Sequence, residues 1–368
     1  MNVLPRLIEN YNANDILKPD ETGLFFKCLP NKTLTFKNEQ CFEGKQSKEK
    51  ITVMVGSNMT GSEKLKLLVI GKAKNPRCFK GVKSLDVDYE FNKKAWKTSE
   101  IFTKWILKLD KKIGKQDRKV LLFVDNCTAH PRDVKDKLKN IQLAYFSPNM
   151  TSLLQPMDQG IIYNMKQHYR KRNLTNILAQ LDGGTSVFTI DLLHAIRNLS
   201  SVWDVYVKPE TIPNCFRKAE FSKDAMQNPS EQWDEEDLSI ADLVALQSSF
   251  KKVTNIEASF EDYVNVDIDV PISENPSEED ILSSVLESRG VPAVPDIDEV
   301  DLDTEEEMAD TDEALPTLGQ VSSSINCIRT FVEMKSDVPI NVFNCLNDLE
   351  AFVENEKWKN VIQTKLRY

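Results

Sequence analysis

The sequence predicts an α/β fold, a mixed sheet with flanking helices, followed by an acidic disordered tail and a small C-terminal helical element. Three observations carry this prediction. Apolar runs of strand length come first along the chain. Segments with helical apolar spacing then alternate with further apolar runs, as in sheets covered by helices. Finally, the sign of the charge reverses in the last third of the chain.

Taken in order, strands are expected at 22–28, 51–57, 65–70, 120–124 and 142–146, where alternating or continuous apolar residues are bounded by turn formers. Leu29-Pro30-Asn31, the stretch 58–61 and Ser147-Pro148-Asn149 supply those turns. Between the third and fourth strands, Ile101, Trp105, Ile106 and Leu109 recur at helical spacing, which predicts a helix over 99–113 with Trp105 inside the core. Trp96 is likewise expected in the core, against the reading of both tryptophans as base-stacking platforms. Further helices are expected at about 159–181, 187–206 and 238–252. The stretch 265–314 is rich in Asp, Glu, Pro and Ser, and disorder is expected because such a segment buries too little apolar surface to offset its ordering entropy. Apolar periodicity returns at Val321, Ile325, Ile328 and Phe331, and again at Val342, Leu346, Leu349 and Phe352, predicting a pair of short helices. The division expected is a core over 1–225, an acidic linker over 226–316 and a helical hairpin over 317–368.

The formal net charge of −10 conceals a split. Residues 1–225 carry 38 Lys and Arg against 24 Asp and Glu, a net of +14; residues 226–368 carry 9 against 33, a net of −24. A basic front with an acidic rear suggests a polyanion-binding body and an interaction tail. No stretch reaches the roughly 18 uncharged apolar residues of a membrane span, and the N-terminus lacks the basic-then-apolar pattern of a signal peptide. The seven cysteines are never closer than thirteen positions and there are three histidines, which excludes a zinc module of ordinary spacing. Dispersed, odd-numbered cysteines fit a reducing compartment.

Three aspartates sit where chemistry could gather. Asp20 is expected at the mouth of the first strand, Asp125 closes the apolar run Val-Leu-Leu-Phe-Val, and Asp158 lies where the helix near 159 begins. If the first and fourth strands are neighbours, Asp20 and Asp125 project side by side and the helix start brings Asp158 to them. Three such carboxylates could hold two divalent cations about 3.5–4 Å apart. Each aspartate also has a local reading, as a turn residue, an Asx turn or a helix N-cap.

The strings around them are specific. Asp-Glu-Thr-Gly-Leu-Phe from Asp20, Val-Asp-Asn-Cys-x-Ala-His-Pro around Asp125, and Ser-Pro-Asn-x-Thr-Ser-Leu-Leu-Gln-Pro-x-Asp-Gln-Gly-Ile around Asp158 resemble the catalytic blocks of pogo/Tigger transposases. So does Val-Ile-Gly-Lys-Ala-Lys-Asn-Pro-Arg-Cys-Phe-Lys-Gly at 69–81. The resemblance covers about 5–205, and thirty-two residues separate Asp125 from Asp158, as in Tigger elements. Centromere protein B is a host-adopted relative.

The resemblance implies an RNase H-like DDE superfamily endonuclease core, with Asp20, Asp125 and Asp158 as catalytic, metal-binding residues for Mg²⁺ or Mn²⁺. Its ancestral reaction is phosphodiester cleavage and strand transfer on DNA, in the nucleus. Lys18-Pro19 replaces the usual Asn-Ala before the first aspartate, and Thr128 and Met150 replace a common Pro and Thr. Few residues precede Asp20, so the chain is expected to lack the paired helix-turn-helix domains of the family. Lys166, His168, Arg170, Lys171 and Arg172 share the helix that follows Asp158; of these, Lys166, Arg170, Lys171 and Arg172 are the candidates for DNA backbone contacts, against the reading of a solvated helix face. Lys104, Lys108, Lys111, Lys112, Lys115, Arg118 and Lys119 form a second basic stretch. His130 is a candidate support for the metal site, against the reading of a structural loop histidine. Two functions stand: a DNA-binding, transposase-derived core, or a catalytically silent scaffold whose acidic tail and C-terminal helices recruit protein partners in chromatin or transcription.

Overall fold

The computed structural model describes residues 4–28, 49–146, 155–182, 190–221, 240–253, 259–268, 270–273 and 317–365. Its centre is a six-stranded sheet of β1 (Ile16–Phe25), β2 (Lys50–Asn58), β3 (Leu68–Gly71), β4 (Asp88–Phe91), β5 (Val120–Val124) and β6 (Ile141–Tyr145), in the order β4-β3-β2-β1-β5-β6. β1 to β3 form an antiparallel meander, while β5 and β6 run parallel to β1. That mixed order is the RNase H-like arrangement the sequence led us to expect.

The sheet is covered on both faces. Among the described residues a short α1 (Leu4–Ile8) opens the chain, and α2 (Ser99–Gly114) packs on one face. Thr98 caps α2 by accepting a bond from Ile101 N. Its Ile101, Phe102, Trp105, Ile106 and Ile113 share a core with Leu17, Met54, Leu122 and Val124 of the sheet. On the other face α3 (Ile162–Asp182) and α4 (Leu192–Ser201) bury Met165, Tyr169, Ile196 and Leu199 against Ile16, Leu24, Val53 and Phe123. α4 starts at 192 rather than 187 because the Asp191 carboxylate caps it, accepting from His194 N at 2.7 Å. It continues into a π turn, Val202–Tyr206, and α5 (Thr211–Lys218) follows.

Two expectations are corrected. β1 begins at Ile16, so Asp20 lies within the strand rather than at its mouth. Pro19 is tolerated because β1 pairs with β5 only at Ile16 and Leu17, leaving no neighbour on that side for the missing N–H. The second correction concerns the tail. α6 (Ile240–Val253) and α7 (Phe260–Val264) form a small core with α3, and 265–268 and 270–273 fold back along β1. Disorder was expected from 265, but Asp267 is buried and Phe25 N donates to its Oδ1 at 2.9 Å. A side chain at Gly23 would collide with Val270, whose Cγ1 would lie 2.5 Å from the new Cβ, so glycine lets this strap approach the strand. The rest of the predicted disordered stretch lies outside the described residues. α8 (Leu318–Glu333) and α9 (Ile340–Lys365) form the expected C-terminal pair, but they are anchored to the body: Arg329 Nη1 donates to Asp86 Oδ2 at 3.3 Å, and Arg197 pairs with Glu333.

Candidate metal and nucleic-acid site

The site forms where β1 and β5 stop pairing. Leu17 lies opposite Leu122 in parallel register, so three residues further on Asp20, within β1, stands level with Asp125, just past the carboxyl end of β5. Asp158 enters from a π turn, Met157–Ile161, directly before α3. Gly160 within it adopts φ 145°, a conformation that favours glycine, and this kink turns the chain into the helix. π turns of this kind are frequent at functional sites. All three aspartates line one cavity of about 410 Å³, together with Gln155, Lys166 and the strap residues Asp267, Val270 and Ile272.

The carboxylates are tied together rather than spread apart. With its NH₂ group turned to them, the Gln155 amide donates to Asp20 Oδ2 at 2.8 Å and to Asp158 Oδ2 at 2.5 Å. Lys18, fully buried, donates to the same Asp20 Oδ2 at 3.1 Å. Glu21 N donates to Asp20 Oδ1 at 3.0 Å. Burial pushes the Asp20 carboxyl up to about 7; Lys18 opposes the rise, while Glu21, Asp158 and Asp125 add to it. Asp158 is raised for the same reasons, burial first, with Lys18 pulling the other way. Asp125 is held low instead: burial raises it, but the His130 hydrogen bond and charge, together with Lys18, outweigh that.

His130 Nδ1 approaches Asp125 Oδ1 at 2.6 Å, and its ring packs against Phe102 with centroids 4.4 Å apart. Behind it, Lys97 Nζ contacts both His130 Nε2 and Glu21 Oε1, with Lys97 and Glu21 almost wholly buried. Glu21 is held well below the ordinary carboxylate range: burial opposes this, and Lys97 and His130 outweigh it. Asp125, Cys127 and His130 place one ligand atom each within 4.8 Å of one another, a second donor set sharing Asp125. Sequence reasoning missed Glu21, Lys97 and Gln155. Glu21 and Gln155 sat unread inside the quoted blocks, and nothing in its spacing distinguishes Lys97 from a surface lysine.

The basic candidates on α3 divide. Lys166 lines the cavity, 3.9 Å from Asp267 Oδ2. The other three point elsewhere. Arg170 is fully buried, with Nη2 donating to Asp267 Oδ2 at 2.6 Å. Lys171 pairs with Asp242 at 3.3 Å, and Arg172 pairs with Glu354 at 2.7 Å. In the folded chain, acidic residues from its rear engage these three. In the second stretch, Lys104 and Lys108 pair with Glu90 and Asp88 at the exposed edge of the sheet, where such pairs contribute little. Lys111, Lys112 and Lys115 stand exposed.

A family model described as DDE superfamily endonuclease matches residues 48–216. Over 359 residues the chain is 36% identical to Tigger transposable element-derived protein 4 of Mus musculus, covering 96% of this chain and 67% of that protein. The chain belongs to the Tigger transposable element-derived family. CENP-B homolog protein 2 of Schizosaccharomyces pombe is 29% identical over 91% of this chain and 64% of its own length. Human major centromere autoantigen B is 31% identical over 59% of this chain; the Tigger-family chain spans 35% of that relative's length. A solved mariner Mos1 paired-end complex with Mg aligns over 61% of this chain and 58% of its own, at 13% identity and a TM-score of 0.35. Asp125 and Asp158 fall inside the matched family segment; Asp20 precedes it and joins them through the pairing of β1 with β5.

Proposed function

We propose that this Tigger-family chain is a nuclear DNA-binding protein whose core holds Mg²⁺ or Mn²⁺ at Asp20, Asp125 and Asp158 and acts on phosphodiesters. The observation that carries the reading is the level placement of Asp20, within β1, and Asp125, just past the end of the parallel β5, with Asp158 lining the same cavity. The donor set fits the ion, since carboxylate oxygens suit Mg²⁺ and Mn²⁺ and crowded carboxylates lack enough local cations. When bound, the metal activates a water or 3′-hydroxyl and neutralises charge on the phosphate.

The chain's own groups do the remaining work. His130 fixes the Asp125 carboxylate through its 2.6 Å contact, and the Glu21–Lys97 pair behind it holds the imidazole in place. Gln155 fixes Asp158 relative to Asp20. Lys166, at the cavity wall, contacts the incoming phosphate, and the exposed lysines of α2 hold more distant backbone. Adding Mn²⁺ raises the melting temperature of the full chain, and Asp125→Asn abolishes the shift, because a ligand that binds the folded state stabilises it by mass action. A shift that survives Asp125→Asn overturns the site. Metal-dependent nicking of labelled duplex DNA, lost in the same variant, separates this reading from the silent scaffold. The scaffold reading is favoured by the engagement of Arg170, Lys171 and Arg172 away from the substrate.

A further inference from the structure

We infer that Lys18 is a built-in counter-ion of the carboxylate cluster, so that, granted the metal-binding reading above, the site takes one divalent cation where its three carboxylates would otherwise take two. The placement comes first. Residues 18 and 20 of a strand face the same side of the sheet, so Lys18 sits one pleat below Asp20. Its side chain is sealed there, 1% exposed, donating to Pro19 O at 2.7 Å and to Asp20 Oδ2 at 3.1 Å.

Two metal ions can share three carboxylates only if one carboxylate serves both. Here that one is Asp20, level with Asp125 through the strand register and linked to Asp158 through Gln155. The Asp20–Asp158 side is already closed by N–H donors. Asp20 Oδ2 accepts from Lys18 and Gln155, and Asp158 Oδ2 accepts from the same Gln155 amide. A cation entering between these two oxygens must displace an ammonium that has no solvent to retreat to. The Asp20–Asp125 side carries no such ammonium, and the single ion belongs there.

Charge counting agrees. Asp20, Asp125, Asp158 and one phosphodiester bring four negative charges to the cavity. Lys18, Lys166 and one divalent ion already balance them before the His130 imidazole beside Asp125 is counted, while Glu21 and Asp267 are matched by Lys97 and Arg170. A second divalent ion would leave at least two surplus positive charges beside a buried ammonium, an arrangement that burial makes costly.

The test counts Mn²⁺ on the full chain by equilibrium titration, with electron paramagnetic resonance reading the magnetic coupling between neighbouring ions. Mn²⁺ held by the acidic tail is removed by subtracting the count for Asp125→Asn. The expected result is one Mn²⁺ for the wild-type chain and for Lys18→Arg, and two coupled ions for Lys18→Gln. Two coupled ions in the wild type, or a Lys18→Gln count equal to wild type, overturn the inference. The wild-type and Lys18→Arg counts still decide it if Lys18→Gln does not fold. No Mn²⁺ above the Asp125→Asn background overturns the metal-binding reading itself, a result distinct from the wrong stoichiometry.

Discussion

Around Arg170 each buried charge meets its opposite, whereas around Asp20 the carboxylates outnumber the cations that touch them. Arg170 and Asp267 are both wholly buried and joined at 2.6 Å, and the backbone of Phe25 supplies bonds to both. Asp20 and Asp158 instead share one amide and one ammonium, and burial raises both carboxyls. A matched buried pair fastens one segment to another. A cluster left short of cations, where β1 and β5 stop pairing, is held that way by the fold, and this is the arrangement on which the proposed metal binding rests.

The sharpest way to break this comparison is to remove one partner from each cluster. Arg170→Met leaves Asp267 buried without its guanidinium and is expected to cost about 3–5 kcal/mol. It should also release the strap, whose Ile272 carbonyl accepts from Lys97 N at 2.8 Å. Asp158→Asn, at the exposed end of the carboxylate cluster, should change stability by no more than about 0.5 kcal/mol without metal. Urea unfolding of both variants decides the matter: a loss below about 1 kcal/mol for Arg170→Met would show that the Asp267 contact fastens nothing.

How much of this was legible in the sequence follows from what each cluster is made of. Apolar runs located β2, β5 and β6 to within a residue or so, because a strand covered on both faces needs continuous apolar side chains. β1 was placed late because Lys18, Pro19 and Asp20 break its pattern, though all three belong to the strand. β4 was missed because Asp-Tyr-Glu-Phe is a short, polar edge strand. The three aspartates were legible through their motifs. Lys18 was noticed as a departure, but its burial over the Phe146 ring depends on how the folded chain packs above the sheet. Asp267 was lost in an acidic stretch that reads as disorder, since composition cannot reveal that one carboxylate out of many meets an arginine about a hundred residues away.

The anchor of the C-terminal helices sharpens the comparison through pH. Burial raises the Asp86 carboxyl to about 6, against the pull of Arg329. Between pH 4 and about pH 6 the folded chain therefore holds a proton that the unfolded chain has released. Stability from this group falls as pH rises through that window and is fully present below it. Arg329→Met removes the opposing charge, so Asp86 should stay protonated to still higher pH. The variant is expected to lose about 3–5 kcal/mol at pH 8 and much less below pH 6, where a neutral Asp86 needs no counter-ion. A loss that does not vary across that range would mean that Arg329 acts through Glu350 and Asn347, to which it also donates.

The smallest expected effects separate engaged from exposed basic residues. Lys171 is occupied by Asp242, while Lys111, Lys112 and Lys115 lie exposed at the C-terminal end of α2. A lysine that neutralises a DNA phosphate releases condensed counterions, so each lost contact lowers the slope of log affinity against log salt by about 0.9. Fluorescence anisotropy of the full chain on a labelled duplex across a salt series reads that slope directly. Replacing Lys111, Lys112 and Lys115 together by Ala should lower it by up to about 2.7 if all three contact phosphate, because the wild-type slope counts those contacts. Lys171→Ala should leave it unchanged and cost about 1 kcal/mol of stability, since the pair with Asp242 is only partly exposed. A slope that falls with Lys171→Ala would mean that DNA displaces Asp242 from α3. The rear segment would then compete with DNA for that helix instead of serving as part of the folded body.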